Sequence, residues 1–562
     1  MKRLATIVPR GAAHHPSRQR LPYVAFGCAA LLTLTLGRLC WLGMEEPEGV
    51  RWRAKGDPAI SASRPVIRDR NGVAMAMDIK MSSLFAEPRN IERPDETLAK
   101  LATVLPEIDT NRNARKLRSG KGFEWLKREV TPAQEAAIMD LGLPGIAFRK
   151  ESRRLYPGGR VGAHILGHVN VDNQGIAGIE KHVDDSGLAD LHKYGFAVSQ
   201  TLEPLTLSVD MRVQHFVHEA LVKAMDKYRA IAAAGVVLDV HSGEIVAMSS
   251  LPGFDPNRAA ATLTKDSLNR MTAGVFEMGS TFKAFTTAMA LDSGRVSLGS
   301  RFDARKPIRI GRHRINDFHG KRRVLSVPEV FIYSSNIGTA KMAETVGIEG
   351  HKAFLFKLGL LDRLEGFELP EVARPTSPTK WKQVHSITIS YGHGATTTPL
   401  QTAVAAAALV NGGKLIPPTL MKRTRAEADA VASQVISPET SDEMRYLFRL
   451  NVLRGSGRRA EVPGFIVGGK TGTAEKVVDG RYSRDKRFNA FLSAFPMDDP
   501  RYVVLVILDE PKPEKGKRYA TAGTNAAPTV REIVSRAAPV LGVRPRMEAR
   551  DTSRVASYRR DF

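Results

Sequence analysis

A chain of 562 residues with a formal charge of +24 is too long for one ordinary core and basic enough to raise nucleic acid as a partner. The basic residues are spread along the chain without a zinc-finger, RNA-recognition or basic-zipper pattern. Nucleic acid is therefore set aside, and an anionic membrane surface or polymer fits the charge instead. The two cysteines, Cys28 and Cys40, both lie near the N-terminus, so the rest of the chain holds no disulfide framework and no Cys-ligated metal.

Residues 1–22 carry Lys2, Arg3, Arg10, Arg18 and Arg20 and no acid. The apolar run "YVAFGCAALLTLTLGRLCWLGM", Tyr23–Met44, follows, and then Glu45 and Glu46. At about 1.5 Å per residue such a run spans the roughly 30 Å hydrocarbon layer. Basic residues before it and acids after it predict a cytoplasmic N-terminus and an uncleaved single-pass anchor at 23–44. Gly43-Met44-Glu45 is a poor signal-peptidase site, which argues against a cleaved leader.

Residues 45–205 read as one mixed domain, with helices over Pro94–Leu105 and Thr131–Leu141. A second domain is expected over 206–540. It opens with a β-hairpin at Ala232–Ser250, turned at His241-Ser242-Gly243. A helical region from about Pro256 to Leu453 comes next. Strands return at Phe465–Val477, Arg487–Pro496 and Arg501–Pro511, and a last helix starts at Pro528, a favoured first-turn residue. The basic tail, 541–562, reads as disordered. The predicted class is α+β: an antiparallel sheet flanked by helices, with a large all-helical insertion.

Three short motifs occur in order. Ser280-Thr281-Phe282-Lys283 opens a helix, Ser334-Ser335-Asn336 follows, and Lys470-Thr471-Gly472-Thr473 lies on a predicted strand. Taken singly, Ser280 is a plausible helix cap, Ser334 and Asn336 are plausible turn residues, and Lys470 is a plausible solvated lysine. Together and in this order they match the Ser-x-x-Lys, Ser-x-Asn, Lys-Thr-Gly set of penicillin-binding proteins and class A β-lactamases. The chemistry explains the residue types. A serine hydroxyl needs an adjacent base. Lys283, one helical turn on, serves only if neutral, and burial plus the charge of Lys470 would lower its pKa. Ser334 could relay the proton to the leaving amine. Asn336 could bond a substrate amide carbonyl or hold Lys283. The N–H groups of Ser280 and Thr473 could receive an oxyanion. Lys470, Thr471 and Thr473 could hold a substrate carboxylate, with Gly472 leaving room for substrate. Fourteen histidines include no HExxH pair and no phosphate-loop motif is present, so neither metal nor cofactor is expected.

At these residues the chain resembles the class B penicillin-binding proteins, and more narrowly the FtsI-like cell-division D,D-transpeptidases. The resemblance extends to "RPVIRDRNG" (Arg64–Gly72), "RRLYPGG" (Arg153–Gly159), "GIAGIEKHVD" (Gly175–Asp184), "SLPGFDPN" (Ser250–Asn257) and "YGHGATTTPLQ" (Tyr391–Gln401). It implies a pedestal (dimerisation) domain, a transpeptidase domain with a five-stranded antiparallel sheet, and cross-linking of peptidoglycan stem peptides at the septum. A D-Ala-D-Ala donor would acylate Ser280, an amine on a neighbouring stem would take the acyl group, and β-lactams would acylate the same serine. The resemblance also implies an inner-membrane location with a periplasmic catalytic domain, and partnership with a membrane glycosyltransferase and other divisome proteins. Departures are Met278, where the family commonly has proline, and Tyr333, where lysine is common. An elongation-type relative is the nearest alternative. A class D-like β-lactamase and a non-catalytic divisome scaffold are the rivals of different class.

Overall fold

The computed structural model describes residues 64–188 and 202–546, apart from 312, 479, 515, 517 and 518; before Arg64 only 30, 33–35 and 38 are described. Most of the expected anchor and of both expected tails lies outside the described residues, among which no helix is long and apolar enough to cross a membrane.

The first domain is built on a long strand. After β1 (Ile67–Arg68), Asp69 Oδ1 accepts from the N–H groups of Asn71 and Val73, and Gly72 at φ +88° completes the turn into β2 (Ala74–Ala86). Helices α1 (Pro94–Val104) and α2 (Asn111–Leu117) follow, then β3 (Glu124–Val130), α3 (Pro132–Asp140) and β4 (Ile146–Leu155). The two helices expected from the sequence are present. α1 has proline and acids in its first turn, and α3 has a Thr131–Gln134 capping box. A short helix, α4 (Gly178–Val183), precedes β5 (Leu205–Thr206). The sheet runs β3-β2-β1-β5, with β4 also on β2; β5 pairs in parallel and the rest antiparallel.

Three stretches far apart in sequence meet in this domain at one buried ion cluster. Arg64 Nε donates to Glu180 Oε2 at 2.8 Å, and Arg154 Nε donates to Glu180 Oε1 at 2.7 Å. Arg64 also pairs with Asp184 (2.7 Å) and Arg154 with Asp78 (3.0 Å). The side chains of Arg64, Arg154 and Glu180 have no solvent exposure. Nearby, Asn257 clamps the Tyr156 backbone, accepting from its N–H (2.9 Å) and donating to its carbonyl (3.0 Å).

The second domain starts with α5 (Met211–Tyr228), then β6 (Ala232–Asp239) and β7 (Ile245–Leu251), the hairpin expected from the sequence. The other elements used below are α6 (Phe282–Asp292), α7 (Val327–Ile332), α8 (Asn336–Val346), α9 (Pro399–Ala408) and α10 (Pro438–Arg454). They are followed by β8 (Gly468–Val478), β9 (Arg481–Phe495), β10 (Tyr502–Asp509) and α11 (Ala526–Val540). The five-stranded antiparallel sheet has the order β8-β9-β10-β6-β7.

Both faces of this sheet are covered, which is why its central strands are near-continuous apolar runs. Alternate residues enter different cores. Val504 and Val506 pack with α5 and α11, whereas Leu505 and Ile507 pack with α6, α9 and α10. Helix α5, with Val213, Val217, Leu221 and Ala224 on one face, is an element the sequence reading did not assign.

Three expectations are corrected. The region between the hairpin and β8 is not all-helical: it carries two-stranded ribbons at 301–303 with 324–326, 308–310 with 313–315, and 414–415 with 433–434. β9 begins at Arg481, six residues earlier than expected, because Gly480 at φ +74° turns the chain directly back. α11 begins at Ala526, where the Asn525 side chain accepts the first N–H at 2.7 Å, and Pro528 falls within the first turn.

Candidate active site

Ser280 does not lie within α6 but in the single 3-10 turn, Gly279–Thr281, that leads into it. Phe282 and Phe285 anchor α6 in the core, which fixes the turn against β8. Gly279 takes φ +54°, and a methyl group on it would sit 3.0 Å from the Thr473 carbonyl oxygen. From the other side, a methyl group on Gly472 would lie 2.6 Å from the Met278 carbonyl oxygen. The space at Gly472 is therefore filled by the serine turn, not left for substrate as expected. Two glycines let the turn and the strand touch.

Lys283 points inward and is 1% exposed. Its Nζ donates to the Ser334 carbonyl at 2.5 Å and to Ser334 Oγ at 3.0 Å. Lys470, fully buried on β8, donates to the same Ser334 Oγ at 3.0 Å and to its neighbour's carbonyl at Thr471. One hydroxyl thus joins two amines. Burial, and after it the charge of Lys470, holds the Lys283 pKa well below the usual amine range. Burial brings Lys470 down to about 7.

Ser334 reaches this position through a strained backbone, φ +56° in a non-glycine residue. The strain is held by its neighbours. Ser335 caps α8, accepting from Gly338 N–H at 3.0 Å, and donates to Asp317 Oδ2 at 2.7 Å. Asp317 Oδ1 accepts from Ile337 N–H at 3.0 Å. Asn336 donates to the Asn316 carbonyl at 2.8 Å, so here it braces the 313–317 strand and loop and leaves Lys283 to Ser334. Asp317 was not singled out in the sequence, because its nineteen-residue separation from Asn336 carries no periodic signal.

On β8 the side chains alternate, as a strand requires. Lys470 joins Ser334, while the Thr471 hydroxyl shares a 2.6 Å hydrogen bond with Ser456 and Thr473 Oγ1 accepts from Ala522 N–H at 3.2 Å. Lys470 is thus engaged in the amine pair, apart from the two threonines with which the sequence grouped it. Ser456 and the turn at Ala522 are further site residues without a motif to reveal them. β8 is also the edge of its sheet, so one row of its N–H and C=O groups faces the cleft. The exposed rings of Phe318 and Tyr519 meet at 5.9 Å. His393 packs its ring 5.6 Å from Tyr482. Burial first, and Lys283 second, push its pKa down to about 4.

A buried base three residues on from the serine of the turn, a bridging hydroxyl and an open strand edge are the parts of a serine acyl-transfer site. Comparison with known proteins agrees. Residues 233–535 match the family model for the penicillin binding protein transpeptidase domain, and residues 59–186 match that for the penicillin-binding protein dimerisation domain. The chain is 40% identical over 502 residues to a probable peptidoglycan D,D-transpeptidase FtsI of Caulobacter vibrioides, covering 87% of this chain and 83% of that one. It is 32% identical over 514 residues to a probable peptidoglycan D,D-transpeptidase PenA of Neisseria gonorrhoeae, covering 87% and 86%. It is 30% identical over 555 residues to the peptidoglycan D,D-transpeptidase FtsI of Escherichia coli, covering 92% and 91%. With both domains matched and its serine, lysines and strand edge brought together, the chain belongs to the penicillin-binding protein transpeptidase family, in the FtsI-like branch.

Proposed function

We propose that this protein is a peptidoglycan D,D-transpeptidase that cross-links stem peptides at the division septum through an acyl-Ser280 intermediate. The observation that carries the reading is the Ser334 hydroxyl shared at 3.0 Å by the two buried amines of Lys283 and Lys470. A neutral Lys283 takes the Ser280 proton as Oγ attacks the carbonyl of the penultimate D-alanine. The N–H groups of Ser280 and Thr473 receive the oxyanion; losing one such donor costs about 10²–10³ in rate. The proton passes through Ser334 to the departing D-alanine amine as the C–N bond breaks. The donor peptide lies along the β8 edge as an added strand, its carboxylate at the Thr471 and Thr473 hydroxyls and its amide at Asn336. Lys470 supplies the charge that keeps Lys283 neutral, and it turns toward the carboxylate when one arrives. β-Lactams acylate the same serine.

We assign the pedestal to 45–205 and the transpeptidase domain to 206–540, supported by the family matches within those bounds. The 23–44 segment is the proposed inner-membrane anchor, with the catalytic domain periplasmic. Its partners would be a septal glycosyltransferase and other divisome proteins.

Incubation with penicillin and mass spectrometry should locate the adduct on the peptide containing Phe276–Lys283, and Ser280→Ala should lower labelling by about 10⁶-fold. Nitrocefin should give a stoichiometric burst. Steady hydrolysis would make the protein a β-lactamase, and an adduct elsewhere would remove Ser280 from its role.

A further inference from the structure

The second half of the reaction requires an amine to reach the acyl-serine, and the groups so far described do not favour it. A primary amine arrives as a cation at neutral pH. The centre it must enter carries the charge of Lys470, which holds Lys283 neutral, so a like charge meets it. Something beside Ser280 has to offset the ammonium charge and take its proton.

The residues around the serine turn contain such a group. Glu277 lies three positions before the nucleophile. Its Oε1 accepts from Gly394 N–H at 2.7 Å and from the Tyr482 hydroxyl at 3.1 Å. Its other oxygen, Oε2, is buried and has no hydrogen-bond partner. Beside it, His393 also has a buried and unpartnered ring nitrogen, Nδ1, with Tyr391 and Tyr482 packed at 5.5 and 5.6 Å. The loop carrying His393 is seated on the serine turn: Gly279 N–H donates to the Gly392 carbonyl at 3.2 Å, and a methyl group on Gly392 would overlap the Gly279 carbonyl. Unpartnered buried polar atoms are uncommon in folded proteins, and each calls for a partner. By contrast Asp317, the carboxylate at the second motif, has both oxygens engaged.

We propose that Glu277 Oε2, assisted by His393 Nδ1 and held by Tyr482, is the acceptor subsite, which binds the incoming ammonium group and takes up its first proton. The proposal rests on the transpeptidase reading and extends it to the acceptor. One proton passes from the ammonium to Glu277 and on to solvent. The freed amine attacks the acyl carbon, a C–N bond forms, and the second amine proton travels through Lys283 to Ser280 Oγ as the ester C–O bond breaks. The products are an amide, a restored serine and one released proton. Burial raises the Glu277 pKa, which makes the carboxylate a better base; the facing titratable groups are Tyr391, His393 and Tyr482.

The test uses the full chain, a D-alanyl thioester as donor, and two acceptors at pH 7. One is a D-amino acid, whose amine is charged; the other is hydroxylamine, which is neutral. The readout is the partition of the acyl-enzyme between amide and acid. Glu277→Gln should lower the partition to the charged amine by about 10²-fold while changing the partition to hydroxylamine by no more than about threefold. Tyr482→Phe should shift the same selectivity in the same direction by a smaller factor, and it decides the matter if Glu277→Gln does not fold. Equal loss for both acceptors, or no loss for either, in a folded variant overturns the proposal. A wild-type chain that penicillin does not acylate at Ser280 would instead overturn the transpeptidase reading.

Discussion

Among the described residues, two pairs of buried cations are treated in opposite ways. In the pedestal, Arg64 and Arg154 share Glu180 and are further paired with Asp184 and Asp78. Burial alone would depress Arg154, but Glu180 and Asp78 outweigh it and raise its pKa. In the cleft, Lys283 and Lys470 are given a hydroxyl and backbone carbonyls as partners. Their burial is not compensated in the same way, so both pKa values fall. A guanidinium cannot release its proton, whereas an ammonium can. The first arrangement ties distant segments together; the second stores a base.

That contrast is breakable. The largest effect expected is Lys283→Met, which removes the base and should slow penicillin acylation by about 10³–10⁴-fold. Because it also deletes an uncompensated buried amine, thermal unfolding should show stability unchanged or raised. Glu180→Ala should do the reverse. It leaves two buried arginines facing each other and should cost about 3–5 kcal/mol of stability by chemical denaturation. The folded fraction should acylate at the wild-type rate. Gly472→Ala comes next. Its methyl group meets the Met278 carbonyl at 2.6 Å, and displacing the serine turn should lower acylation by about 10²-fold.

The smallest effect is a slope. Lys470 has a folded pKa of about 7, below the roughly 10.4 of a free lysine. In that window the unfolded chain holds a proton that the folded chain has released. Stability should therefore rise with pH across the window and be lost as pH falls toward 7. Lys470→Met should flatten the rise, measured by denaturation at several pH values. The arginine cluster should contribute no such slope. Acylation should likewise weaken as pH falls and Lys283 takes up its proton.

Much of this was legible in the residues. The hairpin at Ala232–Ser250 could be read because two β-branched runs and a Ser-Gly turn are local signals, and α1 and α3 because their prolines and caps are. Ser280, Lys283, Ser334 and Lys470 were legible because nucleophile and base share one helical turn and the other two motifs have fixed types. Asp317, Ser456 and Ala522 were not, since each acts through a contact with a residue distant in sequence. The short ribbons within the helical region escaped notice because two or three residues carry too little pattern to stand out. Gly472 was noticed, but its neighbour was misread: a glycine announces a close approach without naming what approaches.

The sequence by itself determined the inventory of chemistry: which side chains can attack, accept a proton or carry charge, and which segments are helix or strand. Those properties belong to single residues and to spacings of two, three or four. Only the tertiary structure decided that two lysines 187 positions apart would share one hydroxyl while two arginines 90 apart would share one carboxylate. Whether a buried cation keeps its proton depends on what lies within a few ångströms of it, and the fold sets those neighbours.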